Sequence, residues 1–386
     1  MAESTDLQGV LERFLPAYAA HHGLDARRRE VCGHLLGCRT AAMGAVSWRC
    51  DACDYQHSGY LACRDRHCPG CQQRASRRWC EREAASVLEA VTYYHVVFTV
   101  PHGLNGWASC HPEVLYRSLF AAAWGTVKAF AADPRRLDGE AGMSAVLHTW
   151  GQRLERHVHL HCLIPGGALG AEGRWHAARG HYLFPVRALA RHYRGRLVSA
   201  LRAEARAGAL AAIAPAQIDA RLPEVMAAEA LVYAKPCLGD HSARVVEYLG
   251  RYSHRIAISN ARILGVDTEG VRFRYTDRRD GDRPKVACLT GEEFVRRYLL
   301  HVLPKGFMRI RHFGFLANRH RRAKLEAIRA ALAQPPPAEA DTDATADATA
   351  HPPCPACRRG HLHVVHLSPR IAQIRGAGKD VAMDTG

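Results

Sequence analysis

The sequence predicts an α+β fold preceded by a small cysteine-rich module, and three observations carry that reading. The segment His157-Val158-His159-Leu160-His161-Cys162 alternates with period 2, as a half-buried strand does, and it belongs to a set of short β-branched and aromatic stretches. Between those stretches the apolar residues recur at helical spacing. Seven of the 14 cysteines fall in the span from Cys32 to Cys71, ahead of the first such strand.

Taken in order, Leu7, Val10, Leu11, Phe14 and Leu15 mark a short helical lead-in, from Asp6 to about Arg29, that Pro16 is expected to interrupt. Cys50-x2-Cys53 and Cys68-x2-Cys71 follow, separated by fourteen residues. Two knuckles at that spacing can close one tetrahedral zinc site, and four unligated cysteines are the poorer reading. Cys38, His57, Cys63 and His67 lie nearby, and either form a second site or are buried thiols and surface imidazoles. Arg64, Arg66, Arg74, Arg77 and Arg78 surround the second knuckle and suit phosphate contact, or else make a solvated basic face.

Tyr93 to Val100 reads as a strand closed by Pro101, and Pro112 to Ala131 as a helix with Leu115, Leu119, Ala122 and Ala123 on its apolar side. Met143 to Thr149 is a second strand, joined to the histidine strand through Gly151-Gln-Arg-Leu-Glu-Arg156. So short a link favours an antiparallel hairpin. His157, His159 and His161 then share one face while Val158, Leu160 and Cys162 enter a core, and Pro165-Gly166-Gly167 ends the strand. The row is a metal site or a polar strand face of hydrogen-bonded histidines.

Arg187 to Ala207 is a basic helix, and Gly208 to Glu229 is alanine-rich with weak organisation. Tyr248 and Tyr252 are four residues apart, so on a helix their phenols share a face, about 6 Å apart along the axis. Gly250 between them loosens or ends that helix, and Arg244, Arg251 and Arg255 flank it. An aromatic stripe in a core is the alternative. Val271 to Tyr275 alternates apolar and basic residues and can pair with Lys285 to Leu289, and a helix from Glu292 to Val302 follows. The next segment carries Lys305, Arg309 and Arg311 among aromatics, which suits phosphate contact and base stacking. Residues 334–353 have linker composition, and Cys354-x2-Cys357 with His361 and His363 makes half or all of a small zinc knuckle. The expected domains are a lead-in and zinc module over 1–85, a catalytic domain over 86–325, a linker over 326–353 and a Cys/His tail over 354–386.

Lys plus Arg exceed Asp plus Glu by 53 − 37 = 16, which favours a polyanionic partner, with nucleic acid ahead of membrane. No apolar run approaches the ~20 residues a bilayer requires, and the N-terminus has no signal pattern, so the expectation is a cytoplasmic protein with reduced thiols.

A histidine pair, a tyrosine pair, cysteine knuckles and excess positive charge together suit cleavage of single-stranded DNA through a phosphotyrosine. A hard divalent ion, Mg²⁺ or Mn²⁺, would offset charge on the scissile phosphate, with a third polar ligand drawn from His157, Gln152 or His148. The succession of CRTAA, CDAC, CRDRHCPGCQ, HVVFTVP, LHTWGQ, HVHLHCLIPGG, VYAKP, EYLGRYSHRIAISN and LLHVLPKGFMRIRHFGFLAN resembles the rolling-circle insertion-sequence transposases, the two-tyrosine branch of the HUH endonuclease superfamily. The resemblance runs from about residue 30 to 320. It implies a central antiparallel sheet with packed helices behind a zinc-binding region. It also implies His159 and His161 as metal ligands, Tyr248 and Tyr252 as nucleophiles, and Cys50, Cys53, Cys68 and Cys71 as zinc ligands, in an enzyme that moves one strand by a replicative route. The competing readings are a plasmid or phage replication initiator or relaxase, a non-catalytic zinc-dependent DNA-binding protein, and a zinc hydrolase. The last lacks a carboxylate base beside the histidines.

Overall fold

The computed structural model describes residues 5–179, 182–228, 231–236, 250, 257–334 and 351–368. The chain opens with helices α1 (Leu7–His22) and α2 (Ala26–Gly37), strands β1 (Ala45–Cys50) and β2 (Gln56–Tyr60), and helix α3 (Pro69–Ala84). The Asp6 carboxylate caps α1 by accepting from the Gly9 amide at 3.0 Å. Pro16 does not interrupt this helix, contrary to expectation. An interior proline costs ~3 kcal/mol or more, and the burial of Leu7, Val10, Leu11, Leu15 and Tyr18 along one stripe offsets it.

The central sheet has five antiparallel strands in the order β12, β4, β5, β3, β8. They are β3 (Tyr93–Thr99), β4 (Gly142–Trp150), β5 (Arg156–Pro165), β8 (Val232–Pro236) and β12 (Ile310–Gly314). A short ribbon, β6 (Gly167–Leu169) with β7 (Trp175–Ala177), hangs from the end of β5. Val96, Phe98, Ala145, Leu147, Val158, Leu160 and Cys162 point to one side, into a core closed by α5 (Pro112–Ala132), α6 (Val186–Arg206) and α7 (Pro215–Ala227), with the single turn α4 (Trp107–Cys110) at its edge. Period-2 alternation therefore leaves the histidines on the other side. The alanine-rich stretch expected to be weakly organised contains α7, which buries Leu222 and Val225. The aromatic segment around Arg309 and Arg311 supplies the edge strand β12, and Phe315 beyond it is fully buried.

A second core crosses the expected boundary at residue 85. It joins α1 and α2 to a meander of β9 (Ile263–Val266), β10 (Val271–Asp277) and β11 (Arg283–Leu289) and to helix α8 (Gly291–Leu299). Phe273 and Phe294 meet edge to face at 5.8 Å in its middle. Tyr298, also buried, donates to the His67 carbonyl at 2.7 Å and ties α8 to the cysteine segment. Helix α9 (Arg321–Ala331) packs against Leu88 and Phe315. The tail does not stand apart, because β13 (Leu362–Ser368) pairs with β1 on the side opposite β2. Among the described residues no helix is long and apolar enough to cross a membrane.

Truncating Phe294 empties a site with 0% exposure. Phe294→Ala is expected to cost ~3–5 kcal/mol in urea unfolding, and a loss below about 1 kcal/mol would contradict a core shared by the two ends of the chain.

Candidate metal and nucleic-acid site

Antiparallel register places His148 opposite His159, and Val146 and Val97 on either side of His161. Directly opposed residues share a face, so His148, His159 and His161 converge, with one ring nitrogen from each inside a 4.8 Å sphere of mutual distance. The His159 Nδ1–H donates to the His157 carbonyl at 2.8 Å. A carbonyl can only accept, so Nε2 of His159 keeps its lone pair. That lone pair lies 3.0 Å from Nε2 of His161, an approach that a shared proton or cation must hold. The separation also fits the edge of an octahedron with metal–ligand bonds of ~2.1 Å, about 3.0 Å.

Burial pushes the pKa values of His159 and His161 well below the ordinary imidazole range, and the neighbouring His148 lowers them further. At neutral pH both rings are therefore neutral, as ligands must be. Of the expected third ligands, His148 joins the group, stacked on Trp150 at 4.2 Å. Gln152 and His157 do not. The Gln152 side-chain oxygen accepts from the Thr276 amide at 3.3 Å, and His157 contributes its carbonyl to orienting His159. One residue of the site escaped the sequence reading: His95, on β3, whose Nε2 lies 2.8 Å from Nδ1 of His161 with the rings stacked. It is buried, and burial lowers its pKa to about 4. The signal was a lone imidazole in an otherwise apolar strand, too common to single out.

The single four-cysteine site expected from spacing is corrected by the structure. Cys68 and Cys71 converge with Cys38 and Cys63, and Cys50 and Cys53 converge with Cys354 and Cys357. The two knuckles part because the first closes β1, which pairs with β13 beyond Cys354 and Cys357, whereas the second starts α3, where it meets Cys38 at the C-terminus of α2. In the first cluster the Cys38–Cys71, Cys63–Cys71 and Cys38–Cys68 sulfurs are 3.6 Å apart. A tetrahedron with Zn–S bonds of ~2.3 Å has edges of about 3.8 Å, so the set fits zinc. None of the four expected histidines joins a cluster. His57 stacks on Trp48, and His67 donates to Asp65 while accepting from the Leu303 amide at 3.1 Å. His361 and His363 both bond to the Asp51 carboxylate.

The histidines floor an open groove of about 2310 Å³, walled by α3 on one side and the meander on the other. Arg77, Arg153, Lys235, Arg274 and Arg278 line it and make it electropositive. Among the arginines expected to meet DNA, Arg77 is in the groove, whereas Arg64, Arg74 and Arg78 are exposed outside it. Two are structural instead. Arg66 donates to the Phe307 and Pro304 carbonyls, and buried Arg309 donates to Gln72 at 3.0 Å. Arg311 lies over the Phe120 ring, and Lys305 is exposed 3.8 Å from Glu30. Tyr248, Tyr252, Arg244, Arg251 and Arg255 lie outside the described residues.

Residues 142–324 match the family described as putative transposase, and residues 10–100 match the transposase zinc-binding domain. The chain is 39% identical over 380 residues to the putative transposase y4qJ of Sinorhizobium fredii, covering 94% of this chain and 95% of that one. It belongs to the insertion-sequence transposases. This transposase is also 29% identical over 307 residues to the transposase for insertion sequence element IS801 of Pseudomonas savastanoi pv. phaseolicola, covering 75% of this chain and 70% of that one. No solved structure is a significant match. An enzyme of this family acts on DNA, and the basic groove over the imidazoles is the surface suited to it.

Removing two groove cations tests that assignment. Arg274→Ala with Arg278→Ala is expected to weaken oligonucleotide binding and to reduce the slope of log affinity against log salt by about 1 to 2. An unchanged slope in fluorescence anisotropy would place the DNA elsewhere.

Proposed function

We propose that this transposase nicks one DNA strand at the ends of its element through a 5′-phosphotyrosine bond and transfers that strand by a rolling-circle route. The observation that carries the reading is the convergence of three buried imidazoles on the floor of a basic groove. His148, His159 and His161 would hold Mg²⁺ or Mn²⁺, with substrate oxygens and water completing the set. A cation bound there would offset the charge of the scissile phosphate. Three nitrogen ligands and no carboxylate favour Mn²⁺ over Mg²⁺.

Tyr248 and Tyr252 are the proposed nucleophiles. Gly250, two residues from each, lines the same groove, and its carbonyl accepts from Ser76 of α3 at 3.3 Å. The phenol oxygen forms a bond to phosphorus as the bond to the 3′ oxygen breaks. The phenol loses its proton and the freed 3′ oxygen gains one, so the phosphodiester energy is kept in the tyrosine ester. A second tyrosine permits a second cleavage before the first adduct is resolved. Arg77, Lys235, Arg274 and Arg278 would bind phosphates on either side, and Cys38, Cys63, Cys68 and Cys71 would hold a structural zinc beside α3. The relationship to the IS801 transposase favours a mobile element over a replication origin.

The test is an SDS-resistant adduct with a single-stranded oligonucleotide from the element's end, formed with Mg²⁺ or Mn²⁺. Tyr248→Phe with Tyr252→Phe is expected to abolish it, and an intact adduct would refute the nucleophile assignment. His159→Ala with His161→Ala should eliminate the metal-dependent product while leaving oligonucleotide binding within about threefold. His95 is proposed to fix the tautomer of His161. His95→Ala should weaken Mn²⁺ affinity by roughly 10- to 100-fold and His95→Gln should recover part of it. Equal loss in both variants would reduce His95 to a packing role.

A further inference from the structure

Of the cluster of Cys50, Cys53, Cys354 and Cys357, the first two fall within the zinc-binding match and the last two lie beyond both matches, which end at residues 100 and 324. We propose that these four cysteines form a second zinc site, shared between the two ends of the chain, that locks the tail onto the N-terminal module.

The sulfurs are poised for a cation and not for disulfides. Cys50 and Cys357 are 3.7 Å apart and Cys53 and Cys354 are 3.8 Å apart, against ~2.05 Å for a disulfide bond. Those separations match the edge of about 3.8 Å expected of a tetrahedral Zn(Cys)4 centre. Each half of the site is a Cys-x2-Cys knuckle, one just after β1 and the other just before β13. The antiparallel pairing of those two strands, with Cys50 opposite Leu362, brings the knuckles face to face.

Backbone amides point at two of the sulfurs. The Ala52 amide donates to the Cys50 sulfur and the Gly360 amide to the Cys357 sulfur, each at 3.3 Å. Gly360 is required by the packing, since a Cβ there would stand 2.7 Å from the Cys50 sulfur and 2.4 Å from an Asp51 carboxylate oxygen. The Asp51 carboxylate in turn accepts from the His361 backbone amide at 2.8 Å and bonds the His363 ring at 3.1 Å, which ties the tail to the loop after β1, and neither imidazole belongs to the sulfur cluster. Four soft thiolates in this geometry select zinc over the hard cations suited to the groove.

The experiment uses the full-length protein with a protease site inserted between residues 344 and 345. Purified protein is expected to carry two zinc ions per chain by elemental analysis, and Cys354→Ser with Cys357→Ser to carry one. After cleavage the tail fragment should co-elute with the body in size exclusion, and should separate once a chelator strips the zinc. One zinc in the unaltered chain, a tail that leaves while two zinc ions remain, or a tail that stays after both are stripped would each overturn the proposal.

Discussion

The pairing of β4 with β5 sets Leu147 against Leu160 and His148 against His159, and the groove inherits its chemistry from that register. Side chains alternate strictly across a sheet, so a slip of one residue would put imidazoles into the core and leucines into the groove. The apolar row, closed by α5 and α6, fixes the register by burial. Its free energy therefore also holds the histidines in place, with the cost of dehydrating their charged forms already met by leaving them neutral. The link from β4 to β5 is short enough that neither strand can drift far from the other.

The second core does the same for the walls. Helix α1, the meander and α8 share apolar residues, and Tyr298 and His67 join them to the cluster of Cys38, Cys63, Cys68 and Cys71. The groove thus has a floor from one core and a rim from another. A basic rim over a floor of buried imidazoles suits the proposed phosphate contact, because exposed cations attract a polyanion while burial keeps the rings neutral.

Much of this was legible in the sequence where the pattern is local. Period-2 alternation marks β5, β-branched and aromatic composition marks β3, and the expected strand 143–149 and helices 112–131 and 187–207 match β4, α5 and α6 nearly to the residue. Alternation puts His157, His159 and His161 on one face, the resemblance singles out the last two, and His148 is one of three candidates for the third ligand; choosing it, and finding His95, depends on which strands lie beside β5 and in what register. The cysteines failed for the same reason. Spacing says that two knuckles can meet, whereas the sheet decides which ones do, and the partner of Cys53 lies 301 residues away at Cys354. Arginines were misread where burial intervened: Arg66 and Arg309 satisfy buried backbone and side-chain acceptors, a use that composition cannot distinguish from phosphate contact.

The place of β13 in the first sheet has a consequence for how the protein is made. β2 follows β1 at once and covers one edge, but the strand that covers its other edge starts only at Leu362. Until then β1 presents an open row of amides and carbonyls. The strands and histidines of the groove are all complete by residue 314, so a chain that stops short, in the linker, would carry the groove with an unfinished N-terminal module. Translation through β13 is in this sense a structural requirement, and termination before it would leave a sticky sheet edge on the N-terminal module.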